Sequence, residues 1–577
     1  MLGTSLQSQI ENHTHQQPEP LLKEGSFYDQ LAQHGKAMFD DAAFASFYSP
    51  KMGRPSIPPH LLCLLLLLQW YCGCSDQETI ERSAYDLRWQ AVLGLPPGMP
   101  LCARTTLEAF RDMLITNKQA NSLFLASIKE AKRAKLLKGP ALVLALDTKP
   151  VLGRGAVCDT FNLLAEALKK TAYALAREEE VDPQEWMRSH GLERYLASSI
   201  KGSADIDWSD EAQKNAFLTL LVTDARRLLH MAEAARTASS EVPNASSEVP
   251  NASSEVPNAS SEVPNLLPEA QLLASLLAQD VEETLDASGA LQATIKEGTA
   301  KGRIPSVTDP EQRHGRKSAS KRFTGGKADV ACDGPSQIIV AVDDLAGDEP
   351  DAKNALAMVE QAQANTDMPV ADTTGDCAYG SGGTRKEFDD AGQVLYAKVP
   401  QENTGTGMFP KSRFEIDLQN QTVTCPAGHT TSEYREDKEG GRVFSFGGVC
   451  QDCPLRLLCS KSATGRSVRV HPQEALLQQA RAFQNSPEGR AKLRSRVVIE
   501  HCLARLGNLG IGQARYVGRA KTRFQLLMCA AVANLRWTWN WEASQRACAG
   551  PVSGVEGAFW RFVGRFLAGL GARLVLA

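Results

Sequence analysis

The segment Ala141–Val151, ALVLALDTKPV, constrains the fold more than any other part of this chain. Six apolar residues run without interruption into Asp147, and Gly139-Pro140 and Pro150 stand on either side. An apolar run of this length between such residues is typical of a strand buried on both faces. We expect the strand to present Asp147 at its C-terminal end, where open α/β sheets bind ligands. Asp147 is therefore a candidate metal ligand, with a solvated strand-end carboxylate as the alternative.

The size and composition of the chain indicate a large globular protein with several domains. Its 577 residues exceed the roughly 250–300 residues at which a single core stops growing. A hydrophobic content of 43% and a charged content of 23% argue against wholesale disorder. The first 25 residues lack a secretory pattern, and the leucine run 61–68 is much shorter than the roughly 20 residues of a membrane span. We therefore expect a cytoplasmic protein.

The net charge of −4 hides two strongly basic segments. Residues 485–536 contain ten Lys and Arg against two Glu, a local net charge of +8. Residues 303–327 contain seven Lys and Arg against two acidic residues, a local net charge of +5. Such local patches are typical of proteins that bind the phosphate backbone of nucleic acids, although a solvated helix face is the alternative for either patch alone.

Residues 26–135 read as a helical domain. A Pro-led apolar helix, a Gly73-Cys74-Ser75 break and a second helix capped by Ser75 are followed by a helix that begins near Arg104. Short helices joined by tight turns suit a helix-turn-helix-like DNA-binding module, but most helical bundles bind nothing.

An α/β pattern surrounds a long helical insertion. The predicted insertion, residues 156–302, contains an SSEVPNA repeat from Ser239 to Asn265, whose prolines forbid a helix and predict a surface loop. A hairpin turning at Asp333-Gly334, then helices alternating with strands up to residue 400, predict a mixed sheet that includes the Asp147 strand. We also expect a helix over Leu266–Gln292.

Two further carboxylates complete a possible metal centre. Asp376 ends the predicted strand 368–376, so it emerges beside Asp147 if the two strands are neighbours. Glu500 lies on a predicted helix with Arg496 one turn earlier, and a simple Arg496–Glu500 surface pair is the alternative. Two Asp and one Glu would supply hard oxygen ligands for two Mg²⁺ or Mn²⁺ ions, the arrangement used for in-line attack on phosphodiesters.

At this point the sequence resembles the DDE transposases of bacterial insertion sequences. The resemblance is carried by the helical segment 53–95, by LDTKPVLGRGAVCDTFNLL, by DPEQRHGRKSASKRFTGGKADVACD, by GDCAYGSGGTR, and by the segment that begins RVVIEHCLARLGNLG. It implies a ribonuclease H-like catalytic domain with Asp147, Asp376 and Glu500 as the metal-binding triad. It also implies a transposase that binds double-stranded DNA, at element ends and target, as a homodimer.

The resemblance and the basic segments together give a set of candidate DNA-binding residues. These are Arg496, Arg515, Tyr516, Arg519, Lys521, Arg523, Arg316, Lys317 and Lys321. One departure stands out: related transposases often place a Tyr seven residues before the Glu and a Lys seven after it. Here those positions hold Leu493 and Gly507, and only Arg496 fits.

A separate cysteine cluster lies between the last predicted strand and the Glu500 helix. Cys425 is followed by a CQDCPLRLLC segment with Cys450, Cys453 and Cys459. A C-x₂-C pair plus two further cysteines within 35 residues fits a structural Zn²⁺ site with four thiolates, with His429 as a substitute ligand and buried free thiols as the alternative.

The sequence therefore predicts six parts and leaves three functions open. The parts are a disordered tail 1–25, a helical domain 26–135, a catalytic domain formed by 138–155, 303–400 and 485–540, the insertion 156–302, a zinc insertion 414–470 and a C-terminal helix 541–577. The favoured function is metal-dependent DNA cleavage and strand transfer. The alternatives are a nuclease of the same fold that does not join strands and a non-catalytic DNA-binding protein derived from a transposase.

Overall fold

A computed structural model of the chain describes residues 21–49, 55–240, 267–285, 289–318, 320–400 and 407–549. Most of the predicted N-terminal tail, the SSEVPNA repeat after residue 240 and the C-terminal segment from residue 550 lie outside these residues. In the part that is described, no helix is both long enough and apolar enough to cross a membrane.

The N-terminal region is helical, as the sequence predicts. Its helices are α1 (Phe27–Met38), α2 (Pro59–Cys72), α3 (Asp76–Tyr85), α4 (Leu87–Leu93), α5 (Arg104–Thr116) and α6 (Ser122–Arg133), with a 3₁₀ helix at Asp41–Phe47. Gly73 ends α2 in the left-handed region at φ 70°, which favours glycine. The Ser75 hydroxyl then accepts a 3.1 Å hydrogen bond from the Glu78 amide and caps α3, as predicted.

The insertion forms a helical unit with its own hydrophobic core. It contains α7 (Thr160–Glu178), α8 (Pro183–Ser189), α9 (Ile200–Ser203), α10 (Glu211–Ser240) and α11 (Pro268–Asp280), with a 3₁₀ helix at Glu193–Leu196. The expected helix over Leu266–Gln292 is wrong beyond Asp280. Val281 adopts an extended conformation that ends α11, and the chain continues as an antiparallel hairpin of β2 (Val281–Leu285) and β3 (Leu291–Ile295). Val281 and Ala293 are thereby buried in the insertion core.

The α/β part of the chain contains a mixed sheet of six strands. Strand β5 pairs antiparallel with β1, β4 and β6, while β7 runs parallel to β1 on its other side and β8 runs parallel to β7. Helices α12 and α13 connect the later strands. The bounds are β1 (Leu142–Leu152), β4 (Arg313–Arg316), β5 (Arg322–Asp333), β6 (Ile339–Ala346), α12 (Ala355–Thr366), β7 (Val370–Thr374), α13 (Gly382–Asp390) and β8 (Leu395–Tyr396).

Strand β1 is longer than its sequence suggests. It continues through Pro150 to Leu152, so Asp147 lies in the middle of the strand and not at its end. The pairing with β7 stops at Ala145, and beyond this point β1 has a strand neighbour only in β5. Pro150 is tolerated there because β7 no longer lies beside it, so no hydrogen bond from a backbone amide is required on that side of β1.

The cysteine-rich segment consists of two small three-stranded sheets. One contains β9 to β11 and the other β12 to β14. The elements are β9 (Glu415–Asp417), β10 (Thr422–Thr424), β11 (Thr430–Thr431), β12 (Tyr434–Glu436), β13 (Arg442–Ser445), β14 (Ser467–Val470) and α14 (Arg456–Cys459), with 3₁₀ helices at Lys411–Arg413 and Gly447–Cys450. Its core has only six buried apolar residues.

Four helices complete the described chain: α15 (Glu474–Asn485), α16 (Pro487–Ser495), α17 (Val497–Asn508) and α18 (Arg519–Ala549). Helix α18 is buried along much of its length and packs on α6, α2 and β6. One hydrophobic cluster therefore contains residues of the N-terminal helices, the mixed sheet, α17 and α18. The predicted domain boundaries stay predictions, but the helical N-terminal region and the sheet share this core.

Candidate active site

The strand register brings Asp147 and Asp376 side by side. Ala145 of β1 pairs with Thr374 of the parallel strand β7. Asp147 and Asp376 each come two residues later, at the point where β7 has ended. Asp376 then caps the 3₁₀ helix Cys377–Tyr379, with its Oδ1 accepting a 2.7 Å hydrogen bond from the Ala378 amide. Neighbouring strands lie about 4.8 Å apart, so the two aspartates are neighbours across the sheet.

Helix α17 brings Glu500 to the same place through Arg496. The helix packs on β1 and β5 by burying Ile499, Cys502, Leu503 and Leu506. Arg496 Nη1 lies 3.0 Å from Asp147 Oδ2, and Arg496 Nη2 lies 3.2 Å from Glu500 Oε1. The Arg496–Glu500 pair foreseen from the sequence is therefore present, but it extends to Asp147 and links the helix to the sheet.

The pKa of Asp147 is affected by both of the other carboxylates. The pKa of Asp147 is raised to about 6, chiefly by burial; the charges of Asp376 and Glu500 also raise it, while the Thr148 amide and Arg496 lower it. The Asp147 side chain is 18% exposed and that of Glu500 is 55% exposed. Three carboxylates against one guanidinium leave a surplus of negative charge, and a cation would relieve it.

The residues fit a divalent metal in chemistry, but they do not form a closed metal site in this conformation. Carboxylate oxygens are the ligands that Mg²⁺ prefers. Yet among the described residues no group of three or more His, Cys, Asp or Glu side chains is arranged to hold a metal ion. The Arg496 guanidinium lies between Asp147 and Glu500 and supplies the positive charge there.

The neighbouring carboxylate Asp372 is engaged elsewhere. Its Oδ1 lies 2.7 Å from the ammonium of Lys492, which also lies over the ring of Tyr396 at 5.5 Å from the centroid. Asp372 belongs to β7, four residues before Asp376, and pairs with α16 instead of α17. Asp376 is therefore the better candidate for a role beside Asp147.

Sequence reasoning missed Lys149, which lies two residues after Asp147 on β1. Residues i and i+2 of a strand share a face, so Lys149 and Asp147 point toward α17 together. A Cβ built on Gly507 of α17 would lie 3.1 Å from Lys149 Nζ. The alternation of side chains along the predicted strand could have placed Lys149 on the same face as Asp147.

Two of the candidate DNA-binding residues contact the N-terminal helices. Arg515 donates a hydrogen bond to the carbonyl of Cys74 and lies 4.9 Å from the Trp70 ring centroid. The hydroxyl of Tyr516 accepts a 2.8 Å hydrogen bond from Arg111. These contacts link the chain before α18 to α2 and α5, and a role in DNA binding stays a prediction for both residues.

The remaining candidates on α18 are partly exposed and paired with acidic residues. Arg519 Nε lies 2.6 Å from Asp344, Lys521 Nζ lies 3.5 Å from Asp112, and Arg523 Nε lies 3.2 Å from Asp343. Surface pairs of this kind contribute little stability and can exchange for phosphate.

The β4–β5 hairpin carries three exposed basic residues. Arg316, Lys317 and Lys321 are exposed, and in the part of the chain described here none of them forms an ion pair. The hairpin extends beyond Leu152, because Leu152 pairs with Gly325 and β5 runs antiparallel to β1. It therefore projects from the end of the sheet toward which β1 runs after Asp147.

The four candidate zinc ligands meet at one small cavity. Cys425, Cys450, Cys453 and Cys459 line it together with His429. Burial raises the pKa of the Cys459 thiol, and the three other cysteines add to this while Arg466 opposes it. The Arg466 amide also points at Cys450 Sγ from 3.4 Å.

Two family models match the chain. Residues 16–113 match a model described as Transposase domain (DUF772), and residues 424–539 match one described as Transposase DDE domain. The second match includes the cysteine cluster and Glu500, whereas Asp147 and Asp376 precede it. A search of the curated proteins and a search of the solved structures gave no match.

Two separate parts of the chain thus match transposase domains, and the mixed sheet with its helical N-terminal region is compatible with the DDE transposase fold. The resemblance to the DDE transposases that the sequence motifs indicate is confirmed.

Proposed function

We propose that this chain is a DDE transposase that cleaves DNA at the ends of its element and joins those ends to target DNA. The observation that carries the proposal is the convergence of Asp147, Asp376 and Glu500. Asp147 within β1 and Asp376 just after β7 stand at equivalent positions of two adjacent parallel strands, and Arg496 connects Glu500 to Asp147. The transposase family matches support the reaction class, and this geometry supports the choice of residues.

The sheet order supports a ribonuclease H-like catalytic domain. Three antiparallel strands, β6, β5 and β1, are followed by β7 and β8 in parallel, with α12 connecting β6 to β7. In this arrangement the two aspartates lie at the centre of the sheet, and α17 covers the same side. The helix insertion between β1 and β4 leaves that order intact.

Asp147, Asp376 and Glu500 would hold two Mg²⁺ or Mn²⁺ ions, as the DDE family in general uses divalent metals. When bound, such ions lower the pKa of water and neutralise charge on the phosphodiester. Arg496 keeps the apo site from carrying its full negative charge, and its guanidinium becomes available for a phosphate when the carboxylates take another cation. Because the pKa of Asp147 is about 6, the carboxylate is ionised at neutral pH.

The reaction consists of two in-line displacements at phosphorus. In the first, water attacks the phosphodiester at the element end, the P–O bond breaks and a 3′-hydroxyl is released. In the second, that hydroxyl attacks a target phosphodiester, and the target's own 3′-oxygen leaves. The chain contributes alignment and phosphate contacts, for which the exposed β4–β5 hairpin with Arg316, Lys317 and Lys321 is the main surface. Joining two ends requires two copies of the chain on DNA.

The test is cleavage and joining of labelled DNA. The substrate is the DNA that flanks the gene for this chain, incubated with Mg²⁺ and a supercoiled target plasmid. The proposal predicts cut ends that become covalently attached to the plasmid. Cut ends that stay free would favour a nuclease that does not join strands, and binding without cutting would favour the non-catalytic alternative.

We also propose that the cysteine-rich segment binds one structural Zn²⁺ through Cys425, Cys450, Cys453 and Cys459. Two observations support this: the four thiols line one cavity, and the segment has only six buried apolar residues. Segments of this size rarely fold on such a core and often use a metal or disulfides. The sulfur atoms would close around the ion by small shifts of the loops that carry them.

Metal analysis of the purified protein tests the zinc proposal. We expect about one zinc ion per chain, as for a closed four-ligand site, and loss of that zinc in Cys453→Ser. Cys158→Ser, which changes a half-buried cysteine of the insertion, is the matched control and keeps its zinc. The proposal would be contradicted if the purified chain held no zinc, or if removal of zinc left the protease resistance of the cysteine-rich segment unchanged.

A further inference from the structure

Lys149 lies two residues after Asp147 on β1, and none of the roles described above explains its position. Because of this spacing, both side chains lie on the face that α17 covers. Its neighbour on β5 is the fully buried Ala328, which offers it no polar partner. The side chain itself is half-buried.

Gly507 leaves the space that Lys149 fills. Gly507 lies on α17 seven residues after Glu500, and seven residues are close to two full turns, so both face β1. A Cβ on Gly507 would lie 3.1 Å from Lys149 Nζ and 3.7 Å from its Cε. A glycine inside a helix is less favourable than an alanine would be. Here Gly507 leaves room for the ammonium of Lys149, which belongs to β1.

The ammonium of Lys149 has no protein partner in the part of the chain described. No carboxylate there lies within 4.0 Å of Lys149 Nζ, and no hydrogen bond from it is formed. The adjacent Asp147 is paired with Arg496 instead. A half-buried, unpaired charge is unfavourable, so its position on the same face of β1 as Asp147 points to a ligand with negative charge.

We propose that Lys149 binds a phosphate of the DNA at the reacting end and so belongs to the catalytic centre. This inference rests on the proposed function and adds a residue to it. Lys149 of β1 thereby places its ammonium in the space that a side chain at position 507 of α17 would otherwise occupy. A purely structural role is the competing explanation: the ammonium would only favour the C-terminal end of α17, where helix dipoles attract cations.

A set of variants separates the two roles, with single-turnover cleavage at saturating DNA as the readout. Lys149→Ala is expected to lower the cleavage rate about 100-fold, as loss of one electrostatic contact to a reacting group does. DNA affinity and melting temperature change little, because many other cations bind the backbone. Lys214→Ala, which removes a half-buried lysine of the insertion that pairs with Glu211, is the matched control and keeps the full rate.

The decisive variant moves the cation from the strand to the helix. In Lys149→Ala/Gly507→Lys, the new lysine grows into the space that Lys149 has vacated, and the proposal expects recovery of at least a tenth of the original rate. Gly507→Lys alone meets the resident Lys149 and is expected to be impaired.

Three results would overturn the inference. Lys149→Ala could cleave at the normal rate, or a folded double variant could remain as slow as Lys149→Ala, which is the result of a structural role. If Lys149→Ala does not fold, Lys149→Arg takes its place, and a folded Lys149→Arg without cleavage counts against phosphate binding. Failure of the unsubstituted protein to cleave would instead overturn the proposed function, and this inference with it.

Discussion

At the scale of single residues, Asp147 combines the features expected of a residue retained for function. It is mostly buried, and its pKa of about 6 means that the folded protein holds this carboxylate less favourably than an unfolded chain would. Arg496 relieves only part of the cost. A group that costs stability and lies among other carboxylates is typical of a catalytic site.

Replacement of Asp147 should therefore stabilise the protein while it abolishes cleavage. The pKa rises from 3.8 to about 6 on folding, so above pH 6 the ionised carboxylate lowers the free energy of unfolding by about 2–3 kcal/mol. Below about pH 4 the group is protonated in both states and the effect disappears. Asp147→Asn should raise the urea midpoint at pH 8 by the corresponding amount, and by less at pH 5. An unchanged or lower midpoint at pH 8 would contradict this account of Asp147.

At the scale of elements, the sequence predicted helices and strands best where the local residue pattern agrees with the tertiary contacts that the element makes. The buried apolar run predicted β1, Asp333-Gly334 predicted the β5–β6 hairpin, and Ser75 predicted the start of α3. It was wrong where tertiary contacts decide. Pro150 does not end β1 because β7 has already ended beside it, and the helix after residue 266 gives way to a hairpin whose apolar residues join the insertion core.

The path of the basic hairpin depends on one glycine at the junction of β4, β5 and β1. Gly325 has φ +150°, and a Cβ there would lie 2.1 Å from the Val151 carbonyl and 2.4 Å from the Gly153 amide nitrogen. No side chain fits without moving β5 away from β1. The sequence shows this glycine but not the strand that crosses so close to it.

Gly325→Ala should therefore disturb the hairpin and weaken DNA binding. The strained backbone alone costs about 1–3 kcal/mol, and the contact with β1 adds to it. We expect a lower melting temperature and a lower affinity for DNA, measured by fluorescence anisotropy at fixed salt. Gly202→Ala is the control, since a Cβ there meets only atoms at 3.5 Å or more. If Gly325→Ala and Gly202→Ala had the same melting temperature and the same DNA affinity, the prediction would be wrong, since β5 would then accommodate the side chain.

At the scale of the whole molecule, a single core joins parts that are far apart in the sequence. Trp539 of α18 donates a 2.9 Å hydrogen bond to Glu130 of α6, and its ring lies 5.2 Å from that of Phe27. Arg111 of α5 likewise contacts Tyr516. The N-terminal helices therefore contact both α18 and the segment between α17 and α18.

The sequence predicted the three carboxylates but not what surrounds them. Asp147, Asp376 and Glu500 are recognisable because each follows or lies within a strongly patterned element, and their order matches the family resemblance. The bridge from Arg496 to Asp147 spans 349 residues, and the contact between Lys149 and Gly507 spans more than 350. No local pattern encodes such contacts, because they arise only when α17 packs on the sheet.

The most direct test of the central claim compares carboxylates within one β-strand and the turn after it. A supercoiled plasmid carrying the DNA that flanks the gene is incubated with Mg²⁺ and either the unsubstituted chain, Asp376→Asn or Asp372→Asn. Asp376 stands beside Asp147, whereas Asp372 is paired with Lys492 outside the centre. Our account predicts that Asp376→Asn binds the plasmid but does not cleave it, while Asp372→Asn retains cleavage. Normal cleavage by Asp376→Asn would contradict it.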